Sequence, residues 1–116
     1  IRLSLVGSEM CIRDRAELDG LVDVSVWKVA YSAFFNTQLD WVLRRGGVSS
    51  VVIAGIVTNG GVASTARDAH MRDYHVTVLA DGCAASTPAM HDAALADLRT
   101  VADIATCQDF LGRLSS

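Results

Sequence analysis

Proline occurs once in the 116 residues, and lysine occurs once, as Lys28, beside nine arginines. So little proline, with only nine glycines, excludes collagen-like and proline-rich chains. The three cysteines, Cys11, Cys83 and Cys107, make no C-x-x-C pair and no even-numbered framework. That pattern argues against a secreted disulfide scaffold and fits a reducing cytoplasm. There is no basic excess, since the net charge is −3. A nucleic-acid partner held by a basic patch is therefore not expected. No apolar run approaches the roughly 18 residues of a membrane span. What is present is a chain 51% hydrophobic and 20% charged, the balance of a folded domain rather than a disordered tail.

The first fourteen residues stand apart. Leu5 to Asp14 reads LVGSEMCIRD and resembles an in-frame translation of a sequencing-library adapter. Such scars are set aside from fold reasoning. The expected natural chain is 15–116, with its own beginning missing, and Cys11 drops out of any redox argument.

From there the pattern alternates. Leu21 to Trp27 places Val22, Val24 and Val26 on one face and predicts a strand. Asn36 or Thr37 can cap a helix over 37–45, with Leu39, Val42 and Leu43 on its apolar stripe. Arg44 and Arg45 suit the end of that helix, and Gly46-Gly47 stops it. Ser49 to Ala54 reads as a short strand of the buried parallel type, and 55–61 as a glycine-flanked loop. A helix fits 62–73 with Val62, Ala66 and Ala69 inward. Val76 to Ala80 is a strand, followed by an Asp81-Gly82 turn. Thr87-Pro88 is an N-cap with proline in the first helical position, and that helix runs to Arg99. Val101 to Ala105 predicts a last strand and 108–114 a closing helix. The order β-α-β-α-β-α-β-α with short loops means right-handed crossovers and a parallel sheet covered on both faces.

In such sheets ligands bind beyond the carboxyl ends of the strands. The loops at 28–35, 55–61 and 81–87 qualify. The glycine loop fails both nucleotide motifs: Gly61 stands where a P-loop needs lysine, and Val57 where a dinucleotide fingerprint needs glycine. What survives is a sharp turn from a strand into a helix N-terminus, an arrangement able to hold an oxyanion. Lys28, at a strand end, can tune a carboxylate and stabilise negative charge. Tyr31 and Phe34 either line a pocket or pack beneath the sheet. Cys83 lies on the ligand-facing rim, but the local sequence puts no histidine base beside it. His70, His75 and His91 have no metal spacing within one element, so neither a metal nor a cofactor is expected.

Four blocks carry a resemblance: Lys28-Val-Ala-Tyr-Ser-Ala-Phe34, Val51-Val-Ile-Ala-Gly-Ile-Val-Thr-Asn59, Ser64-Thr-Ala-Arg-Asp-Ala69 and Val78-Leu-Ala-Asp-Gly-Cys-Ala-Ala85. In order and spacing they resemble the isochorismatase-like hydrolases, also called cysteine hydrolases, over nearly all of 20–114. The resemblance implies a three-layer α/β/α fold with a parallel sheet, here incomplete at the N-terminus. Lys28 matches the family lysine. The family nucleophile lies two residues after the Thr-Asn pair, a position occupied here by Gly61. The family aspartate belongs to a first strand outside this chain. The resemblance further implies a cis Ile56–Val57 peptide, with the N–H groups of Val57 and Gly61 converging on a substrate oxygen and Thr58 and Asn59 beside them. Glycine cannot form a thioester. The implied reaction is therefore acid-catalysed, non-covalent hydrolysis of a small metabolite of vinyl-ether type. The alternatives are a non-catalytic binding member and an amidohydrolase relative acting on a C–N bond. The implied partners are a small molecule and, for the complete domain, further copies of itself.

Overall fold

The computed structural model describes residues 24–114. The adapter-like segment and the start of the expected 21–27 strand lie outside the described residues.

The described elements are α1 (Leu39–Arg45), β1 (Ser50–Ile56), α2 (Ala63–Met71), β2 (His75–Ala84), α3 (Pro88–Leu98), β3 (Asp103–Ala105) and α4 (Cys107–Leu114). A π-helical turn, Thr58–Val62, joins β1 to α2. The three strands form one parallel sheet in the order β1-β2-β3. Among the described residues no helix is long and apolar enough to cross a membrane.

Alternation within the strands assigns two faces. Val51 pairs with Val76 and Ile53 with Val78, while Val78 pairs with Ile104. These residues share one face and join the core with Leu39 and Leu43 of α1, Ala66 and Ala69 of α2, and Leu95 and Leu98 of α3. Val78, Ala66, Ala69 and Leu98 are completely buried. The inward set predicted for the second helix, Val62, Ala66 and Ala69, is the buried set. On the opposite face α4 packs near β2, where its first N–H, from Cys107, donates to Asp81 Oδ1 at 2.7 Å.

Three local predictions are corrected. Val24 to Lys28 form no strand, although Val26 is buried. β-Branching favours extended backbone, but a strand also needs a neighbour to pair with. β1 does not end at Ala54; it runs on to Ile56. Asp81-Gly82 is not a turn: β2 continues through it to Ala84 across an irregularity opposite Ala54. There Gly55 has φ +134°, a conformation open to glycine and strained for other residues. The α1 cap also differs. Gln38 holds the cap position without a side-chain bond, while Thr37 Oγ1 accepts from Leu39 N–H at 3.2 Å. The α3 start agrees with the sequence: Thr87 Oγ1 accepts from Met90 N–H at 3.1 Å, and Pro88 opens the helix.

Candidate active site

The site is built where the 28–37 segment crosses the carboxyl end of β1. That segment is tied down by its own polar atoms. Ala33 N–H donates to Thr65 Oγ1 on α2 at 3.0 Å, and Thr37 Oγ1 donates to Ala33 O at 2.5 Å. The Phe34 ring stands 5.9 Å from the Tyr74 ring, with the Arg72 guanidinium 5.0 Å over it. Phe34 is thus a buried core residue, and of the two roles open to it, packing is the one it takes. Tyr31 is 73% exposed and stands outside the core.

This anchoring sets the direction of Lys28. A Cβ added to Gly61 would lie 3.1 Å from Lys28 Nζ, 3.3 Å from Tyr31 O and 3.4 Å from Ile56 O. The ammonium thus stands beside Gly61, the position that the family resemblance assigns to a nucleophile. Among the described residues no carboxylate pairs with Lys28. The Ile56–Val57 peptide is cis. Val57 O receives Gly60 N–H at 3.0 Å and Val62 N–H at 3.2 Å, which closes the turn on itself.

The remaining expected residues divide. Val57 is 37% exposed and Asn59 is exposed, while Gly61 is buried in the turn. Asn59 faces a groove of about 660 Å³ between α2 and α3, lined also by Ser64, Arg67, Met90 and Asp97. Thr58 departs from the expectation of a substrate contact. It is completely buried, and its hydroxyl is hydrogen-bonded to His91 Nδ1 at 2.7 Å. By spacing alone His91 shows no metal-ligand pattern and no other role. Its signal was position: it falls four residues after the Thr87 cap, one turn into a helix that starts at the ligand edge.

Electrostatics around the site are uneven. Burial pushes the Cys83 thiol up, so at neutral pH it stays protonated and is a poor nucleophile. The Cys107 thiol is also raised, chiefly through its hydrogen bond to Asp81. That bond holds the Asp81 carboxyl below its ordinary value. Among the described residues no group of three His, Cys, Asp or Glu side chains is placed to hold a metal ion.

Comparison with known proteins shows the family. The isochorismatase domain pattern matches residues 13–109. The ureidoacrylate amidohydrolase RutB of Methylobacterium radiotolerans is 42% identical over 108 residues, covering 85% of this chain and 42% of that protein. An Arabidopsis thaliana protein named "probable inactive nicotinamidase" is 41% identical over 93 residues, covering 74% of this chain and 47% of its own. The crystal structure of an isochorismatase-like hydrolase from Alkaliphilus metalliredigens superposes with a TM-score of 0.77 at 37% identity, over 78% of this chain and 50% of that one. The chain therefore spans about half the length of the proteins it matches. Sequence pattern, fold and the turn at the end of β1 agree: the chain belongs to the isochorismatase family.

Proposed function

We propose that this chain carries the lysine-and-turn half of a hydrolase site that acts on a small metabolite without a covalent enzyme intermediate. The observation that carries this reading is the Lys28 ammonium 3.1 Å from the place of a Gly61 Cβ. A site with an ammonium and a bare turn at the nucleophile position can hold and stabilise negative charge but cannot attack through a side chain. Lys28 binds an anionic group of the substrate. The N–H groups of Val57 and Gly61 donate to an oxygen of that anionic group, away from the ether oxygen on which positive charge develops, and Asn59 borders the entrance. The proton comes from a carboxylic acid in the part of the domain that the relatives have and this chain does not span. In the vinyl-ether form of the reaction that acid protonates the vinyl carbon. Water then adds to the oxocarbenium carbon, and the C–O bond breaks to release an alcohol and a ketone. The proposed setting is the cytoplasm, with further copies of the domain as partners.

A second reading has its own support. The similarity to an enzyme named for ureidoacrylate favours a C–N substrate, and the similarity to a protein named as inactive favours binding without turnover.

The test uses the domain at the relatives' full length, incubated with an enol-ether carboxylate and with ureidoacrylate, before and after iodoacetamide. Release of the ketone, indifferent to alkylation and reduced about 100-fold or more by Lys28→Met, supports the main reading. Saturable binding without product supports the binding member. Alkylation-sensitive hydrolysis of ureidoacrylate overturns the non-covalent mechanism.

A further inference from the structure

The turn at residues 57–61 is poor in side chains that could fix it to the rest of the fold. Gly60 and Gly61 have none, and Asn59 is exposed. The bonds from Gly60 N–H and Val62 N–H to Val57 O shape the turn but do not attach it to another element. Among the described residues, one side-chain hydrogen bond does. Thr58 is completely buried, and its hydroxyl reaches His91 Nδ1, 33 residues further along the chain. A buried hydroxyl without a partner is costly, so the side chain of Thr58 is committed to wherever the histidine stands.

His91 is itself firmly placed. Its N–H donates to Thr87 O at 3.1 Å, Thr87 Oγ1 caps the same helix, and Pro88 presets the first turn. The ring thus projects from the start of α3, the one helix among those described that combines a side-chain cap with a proline at its start. We propose that His91 is a positioning residue for the site: by holding Thr58 it fixes the direction in which residues 57–61 meet Lys28. It touches no reacting atom in this role. As a statement about catalysis the proposal rests on the hydrolase reading above. As a statement about the turn it does not, and it is tested without turnover.

The experiment is amide hydrogen exchange on the 116-residue chain, read at Gly60 and Val62 and, for comparison, at Val76 and Val78 in the sheet. His91→Leu and Thr58→Val each remove the bond. His91→Gln and Thr58→Ser keep a group able to make it. The first pair is expected to lower protection at Gly60 and Val62 by roughly tenfold, the scale of one lost hydrogen bond, with Val76 and Val78 unchanged. The conservative pair is expected to restore protection to within about twofold on the same scale. His91→Leu combined with Thr58→Val is expected to lose no more than either alone, because both delete one shared interaction. Full protection at Gly60 and Val62 in His91→Leu would overturn the proposal. So would effects of the two substitutions that multiply, or a loss shared equally by Val76 and Val78, which would make the bond a general stabiliser. If His91→Leu fails to fold, Thr58→Val and the Gln and Ser variants decide the matter on the same amides.

Discussion

The two faces of β1 have nearly the same chemistry and opposite fates. Val51 and Ile53 lie against the core beneath α2, while Val52 and Ile56 on the other face are 41% and 63% exposed. Trp27, Val29, Tyr31 and Phe35 are exposed as well. Burial is not a property of a valine; it is a property of the layer laid over it. Patches of this kind mark surfaces that meet something else.

The largest effect expected from this contrast is on the covered face. Leu98→Ala removes a completely buried side chain and should lower stability by about 2–5 kcal/mol in urea denaturation. Val52→Ala, on the bare face, should change it by less than about 0.5 kcal/mol. Equal costs would break the comparison, because they would mean that both faces are packed.

Next in size is the start of α3. Thr87→Ala removes the hydroxyl that accepts Met90 N–H and should cost about 1 kcal/mol by the same measurement. A null effect would show that Pro88 and the packing of Leu95 and Leu98 start the helix without the cap.

The covered side should also set the alkaline limit. Tyr74 is pushed up to about 12, first by burial and then by its hydrogen bond to Asp40 and that carboxylate's charge. Its native state therefore keeps the proton where the unfolded chain, at about 10, gives it up. The contribution to stability is complete below pH 10 and is lost as pH rises from there toward 12. Tyr74→Phe should flatten that part of a pH–stability curve; an unchanged alkaline slope would assign it to other groups.

A further effect is expected at the site itself. The far end of Lys28 can move aside from a new Cβ at residue 61, but the backbone oxygen of Tyr31 at 3.3 Å must also give. Gly61→Cys should therefore cost about 1 kcal/mol. The thiol it introduces, beside an ammonium, should react with iodoacetamide much faster than Cys83, whose thiol burial pushes up. Equal reactivity would show that Lys28 does not face the turn in solution.

The fold was largely legible because its signals are local. The Thr87-Pro88 start of α3, the inward Val62, Ala66 and Ala69 and the apolar runs of β1 and β2 all appear in short windows of sequence. Errors arose where a local signal competes with a distant partner. Asp81-Gly82 carries turn residues, yet β1 offers a neighbour and the strand continues through them. Val24 to Trp27 has strand composition but, among the described residues, no strand to pair with. The cis Ile56–Val57 peptide is legible only through family resemblance, Lys28 both through that and as the lone lysine of the chain, and His91 only through its place one turn after the Thr87 cap.

The sequence by itself determined the alternation of helix and strand, the parallel sheet, and the glycines that leave the 57–61 turn poor in side chains. Tertiary structure alone decided which face of β1 stays bare, that Lys28 ends beside Gly61, and that Thr58 turns away from the ligand edge toward His91. The physical reason is range. Backbone preference and apolar period act over a few residues, whereas a buried hydroxyl is satisfied, and an ammonium aimed, by groups that only folding brings within about 3 Å.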